Sequence, residues 1–153
     1  MTSSYETIYS RFLQKISDYE LIQIDESTVY MLMNDWMRAT LSKPYVRKLF
    51  ASIVLDDEIM TLEYELKNAI DDFTDEDFVI EILSNGMVVE WLEPQINNIL
   101  YTKQFVGGKE EKFYAQSNQL AQLQSLLSDA KTELRKTIRD HGYINNSYIG
   151  GGL

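Results

Sequence analysis

Phe113, Leu120, Leu123, Leu127, Ala130, Leu134 and Ile138 recur at nearly heptad spacing. A repeat of that length predicts a single helix of about 28 residues, on the order of 40 Å long. Such a rod must be covered along its apolar side. It is therefore either the long member of a helical bundle or one side of a seam between chains. Gly142 follows it and predicts a stop in a left-handed cap.

The rest of the chain supplies shorter partners for this rod. Tyr5, Ile8, Phe12 and Ile16 share one helical face, with Ser3 or Ser4 as N-cap, which predicts a helix over 4–16. Asp25 or Ser27 caps a second helix carrying Val29, Leu32, Met33, Trp36 and Thr40 on one side. It ends before Pro44, which disfavours helix at Lys43. The period then falls to two. Leu49, Ala51, Ile53 and Leu55, then Met60, Leu62, Tyr64 and Leu66, alternate with other residues on either side of Asp56-Asp57-Glu58, predicting a β-hairpin near 49–66. A lone two-stranded ribbon is marginal in water, so it either lies on the helices or adds to another subunit's sheet.

Helical spacing returns after Thr74, with Asp75, Glu76 and Asp77 in a first turn that favours carboxylates. Ser84-Asn85-Gly86 predicts a break, followed by a helix with Val88, Trp91, Leu92, Ile96 and Ile99 on its apolar side. Pro94 falls on the opposite side and costs roughly 3 kcal/mol in a straight helix, which predicts a kink near Glu90 to Pro94. Gly107-Gly108 marks a loop within Lys103 to Lys112. The fold expected is thus mainly α. It consists of one helical domain over 1–142 with a small hairpin, followed by an extended arm over 143–153. That arm, Tyr143, Ile144, Asn145, Asn146, Ser147, Tyr148, Ile149, Gly150, Gly151, Gly152 and Leu153, has no charged side chain. It is either a frayed end or a strap that orders on a partner, the aromatics arguing for the strap.

Composition excludes much chemistry. With no cysteine and only His141, thiolate catalysis, disulfides and an ordinary zinc site are absent. His141 itself, in the last turn of a helix, is expected at the surface. No nucleophile elbow, P-loop or dinucleotide fingerprint occurs, so neither an enzyme nor a cofactor is expected. Asp71, Asp72, Asp75 and Asp77 lack the alternating spacing and loop glycine of a calcium site. Exposed acids are a commoner reading of Glu63, Glu65, Asp71 and Asp72 than a paired-carboxylate site. No stretch approaches the roughly 18 apolar residues of a membrane span. Residues 1–5 also lack the regions of a signal peptide, so the chain is expected to be used without export.

The net charge of −10 lies wholly in the first part of the chain. Residues 56–81 carry eleven acids against Lys67, a local net of −10, while residues 82–153 are neutral overall. Such a sector is either a solvated face or a wall that repels phosphate and leaves DNA mobile beside it. Lys131, Arg135, Lys136 and Arg139 form a basic run on the long helix, commoner as a solvated or ion-paired face than as a DNA site.

Two segments carry a resemblance. Met87-Val88-Val89-Glu90-Trp91-Leu92-Glu93-Pro94-Gln95-Ile96-Asn97-Asn98-Ile99, with Thr102, the Gly-Gly loop, Ser117 and the Leu-rich helix from Leu120, resembles the small head–tail connector proteins of tailed bacteriophages. Tyr5-Glu6-Thr7-Ile8-Tyr9-Ser10-Arg11-Phe12-Leu13-Gln14-Lys15-Ile16 is similar to the opening of the same family. The resemblance implies a structural virion protein of the neck, assembled in the host cytoplasm, forming a ring of twelve copies beneath the portal protein. It implies a stopper or tail-completion protein below, and packaged DNA passing through without specific binding. On this reading Tyr143, Ile144, Asn145, Asn146, Tyr148, Ile149, Gly150, Gly151 and Leu153 form a portal-binding arm. Leu62, Tyr64, Trp91 and Gln95 are candidates for subunit contact, and Asp56, Asp57, Glu58, Asp71 and Asp72 for the channel wall. A tail-completion or other capsid accessory protein is the alternative.

Overall fold

The computed structural model describes residues 1–16, 25–105 and 110–144, with side chains for all of these except 99, 101–105, 110–117 and 143–144. The Gly107-Gly108 loop and the arm from Asn145 onward lie outside the described residues. Strand β1 (Thr2–Ser4) runs directly into α1 (Tyr5–Lys15), where the Ser4 hydroxyl caps the helix by accepting from Glu6 N at 3.1 Å. Asp25 caps α2 (Glu26–Ser42), and a four-residue helix, α3 (Pro44–Arg47), starts with proline at its first position. There the missing N–H and fixed φ suit a helix start. β2 (Phe50–Asp56) and β3 (Thr61–Leu66) make the expected hairpin.

β1 was not foreseen. It adds to β3, so the sheet has three antiparallel strands in the order β1-β3-β2. Met1 N donates to Tyr64 O at 3.0 Å, and Tyr64 N donates to Met1 O at 2.8 Å. This makes β3 the central strand, and its inward side chains are core. Leu62 and Tyr64 are 0% and 2% exposed. They pack within one chain on the helices, so they do not sit on the surface where a subunit contact was expected.

The break expected at Ser84-Asn85-Gly86 does not occur. α4 runs unbroken from Asp72 to Phe105, with Pro94 inside it. All three residues are buried, and a glycine here is a packing device. A Cβ on Gly86 would lie 2.1 Å from Thr40 Cγ2 and 2.7 Å from Thr40 Oγ1. α2 therefore crosses α4 at a distance only glycine permits, and tertiary contact overrides the local propensity of about 1 kcal/mol against helix. α4 also starts earlier than expected. Asp71 Oδ1 accepts from Thr74 N at 2.7 Å and its carbonyl from Asp75 N at 2.9 Å, which caps the helix.

α5 (Glu110–Ile144) is longer than expected and lies along α4. It continues past Gly142 through Tyr143 and Ile144, so the helix stop predicted at Gly142 is corrected. The first two arm residues are the end of this helix. His141 is also corrected from surface to interior, at 7% exposure. Its ring stacks on Phe78 at 3.9 Å and its Nε2 donates to Asn68 O at 2.9 Å. The carbonyl can only accept, so Nε2 carries the proton.

One core joins the sheet to the helices: Tyr5, Ile8, Tyr9 and Phe12 of α1, Met33 and Met37 of α2, Phe50, Leu62 and Tyr64 of the sheet, Ile82, Leu83 and Met87 of α4, and Leu134 of α5. Phe12 sits between two partly buried tryptophans, 5.5 Å from Trp36 and 6.4 Å from Trp91, the latter edge-on. Each fully buried large side chain stabilises the fold by about 1.5–3 kcal/mol.

Candidate interaction surfaces

The acids fall into three settings. In the hairpin turn, Asp56 Oδ1 accepts from Glu58 N at 3.0 Å and shapes the turn. Asp57 is drawn back onto the molecule: Arg38 Nη2 reaches both its carboxylate oxygens at 2.7 Å, and Tyr5 Oη donates to Oδ1 at 2.8 Å. The Arg38 contact, then the Tyr5 hydroxyl, hold the Asp57 carboxyl below its ordinary pKa. Glu58 is exposed. Along α4, Asp77 and Glu81 pair with α1, Arg11 at 2.8 and 3.2 Å and Lys15 to Glu81 at 2.6 Å. These pairs fix α1 across α4.

The third setting is the rim of a depression of about 600 Å3 between the sheet face and the start of α4. Glu63, Glu65, Asp71, Asp72 and Asp75 line it, with Val54 and Ile70. Glu63, Glu65, Asp71 and Asp72 thus do come together on one rim. Asp75 is 2% exposed and accepts from Ile70 N at 3.0 and 3.1 Å. Asp71 is held below its ordinary pKa by Thr74 N first and the Thr74 hydroxyl second. Both carboxylates therefore serve the helix start. Among the described residues no group of three or more His, Cys, Asp or Glu is arranged to hold a metal. Just beyond this rim stands Phe73, 86% exposed and flanked by exposed Asp72, Glu76 and Asp77. No periodic pattern in the sequence singles this residue out.

A second depression, of about 280 Å3, lies where the end of α1 meets α4 and α5. Trp91 and Gln95, two of the four residues that the resemblance put forward for subunit contact, line it, beside Lys15, Leu123 and Leu126. They are one helical turn apart, and Gln95 Nε2 donates to Trp91 O at 3.1 Å.

The basic run finds an unexpected setting. A cleft of about 500 Å3 opens between α3, α4 and α5, with Val89, Leu134 and Ile138 as its apolar floor and Tyr45 at its edge. Lys43, Lys131, Arg135 and Arg139 surround it. Lys43 pairs with Glu90 and Lys131 with Glu93, each at 3.3 Å, so the lining itself keeps an excess of two positive charges, Arg135 and Arg139, the latter with Asp140 at 3.9 Å outside the lining. Spacing of four along α5 placed these residues on one side, but only the fold brings in Lys43 and Tyr45. Among the described residues no helix is long and apolar enough to cross a membrane. The chain matches no protein-family model, no curated protein and no solved structure in the comparisons made.

Proposed function

We propose that this chain is a structural protein of the bacteriophage neck, acting by assembly and without turnover. Its ring joins the portal vertex to the tail or stopper and extends the DNA channel. The observation that carries the reading is the Glu-Trp-Leu and Gln-Ile-Asn-Asn pair of elements between Glu90 and Asn98, unusual in combination and similar to the connector family. The placement of Trp91 and Gln95 in one surface depression supports their use in contact between copies. The exposed acids support a wall that does not retain DNA. In this proposal the partners are twelve copies of the chain, the portal protein, bound by the arm over 143–153, and a stopper or tail-completion protein.

Deleting the gene from its phage and imaging the lysate by negative-stain electron microscopy tests the reading. Loose tails beside tailless, DNA-leaking heads are expected. Normal infectious particles would sink it. A tail-completion or other capsid accessory protein is the second reading, and it predicts filled, closed heads with defective tails.

A further inference from the structure

Phe73 and the basic cleft are complementary, and they cannot meet within one molecule. Phe73 is the most exposed large apolar side chain among the described residues, and it stands beside exposed Asp72 and Glu76, with Asp77 close by and paired to Arg11. The cleft offers an apolar floor of Val89, Leu134 and Ile138 under a rim with an excess of positive charge. One is an apolar knob in an acidic surround, the other an apolar hole in a basic one. Each lacks what the other provides. Phe73 and Val89 belong to the same helix, sixteen residues apart, which is ~24 Å along the axis and ~160° around it. They therefore point to nearly opposite sides of the molecule and cannot fold onto each other.

We infer that Phe73 of one copy seats in the Val89–Leu134–Ile138 cleft of the next, with its flanking acids against Arg135 and Arg139. Two different patches meet in such a contact, so it is heterologous, and repetition closes a ring or extends a filament. The inference rests on the ring reading and deepens it by naming the subunit contact. It moves Asp72 from the channel wall to that contact, leaving Asp56, Glu58 and Asp71 for the wall. The charged rim steers association and makes it salt-sensitive, while the buried aromatic supplies affinity.

The test uses the full chain and two variants, Phe73→Asp and the double Arg135→Glu with Arg139→Glu. All changed side chains are exposed, so folding is retained, as circular dichroism verifies. Sedimentation velocity at low salt is expected to show concentration-dependent assembly of the wild type. Each variant alone should associate at least about 30-fold more weakly, the loss typical of an interface hot spot. Mixed together, the two variants retain one intact knob and one intact hole. They should stop at a one-to-one dimer that grows no further. Assembly by either variant alone, or no dimer on mixing, overturns this contact while leaving the ring reading in place. A wild type that stays monomeric throughout also overturns it. Particle imaging of the deletion phage tests the neck reading separately.

Discussion

At Gly86 a single hydrogen atom decides how closely two helices approach. Gly86→Ala gains helix propensity of about 1 kcal/mol yet sets a methyl 2.1 Å from Thr40 Cγ2. The clash wins, and a net loss of about 1–3 kcal/mol is expected from urea unfolding. In a Thr40→Ala background the same change should cost measurably less, because two of the three close atoms are gone. The tyrosines and Asp57 set the response to pH. Asp57 titrates below its ordinary value when folded, so its stabilisation is present above about pH 4 and is lost as pH falls through the folded value. Tyr9 is displaced the other way: burial pushes its hydroxyl up to about 12. Its contribution is complete below about pH 10 and is lost as pH rises through the folded value. Stability measured against pH should therefore flatten at the acid end in Asp57→Asn and at the alkaline end in Tyr9→Phe. Caps were legible at this scale to within a choice of two, Ser3 or Ser4 and Asp25 or Ser27, because each pair stands just before apolar periodicity; the structure selects Ser4 and Asp25. His141 was not, since its stacking partner Phe78 lies sixty-three residues earlier and only the fold joins them.

Among the elements, periodicity carried the hairpin, α1, α2 and α5, each with a stripe of apolar residues at one spacing. β1 escaped because Thr2-Ser3-Ser4 has no apolar pattern, and its pairing with β3 runs through the backbone. α4 was divided in two because breakers were weighed by local propensity, while burial on both flanks holds the helix intact. The missed strand has a measurable role. Removing residues 1–4 strips β3 of one of its two partner strands, including both bonds between Met1 and Tyr64, and uncovers that side of Tyr64. A loss of about 2–4 kcal/mol is expected, from several bonds of about 1 kcal/mol each and the uncovered ring. Fluorescence-monitored denaturation would show it as a lower midpoint, with the helical circular dichroism signal preserved in the absence of denaturant.

For the whole molecule, the mainly α architecture was readable from the sequence, and the surfaces were not. Charge runs show sign but not which neighbours neutralise them. Arg11, Lys15 and Arg38 absorb Asp77, Glu81 and Asp57, leaving the free acids near the hairpin turn and the start of α4. Truncation after Ile144 removes residues 145–153, which lie outside the described residues, and leaves every residue of the described core in place. It should leave the unfolding midpoint unchanged, and under the proposed function it should abolish co-sedimentation with purified portal rings. Retained co-sedimentation would discard the arm as the attachment. α1 and α2 pack on α4, and α5 lies along it. Mechanically, Trp91 couples α4 to α1: its indole bears edge-on against Phe12, so a displacement of α4 at that point is passed to α1, and from α1 to the strand that runs directly into it.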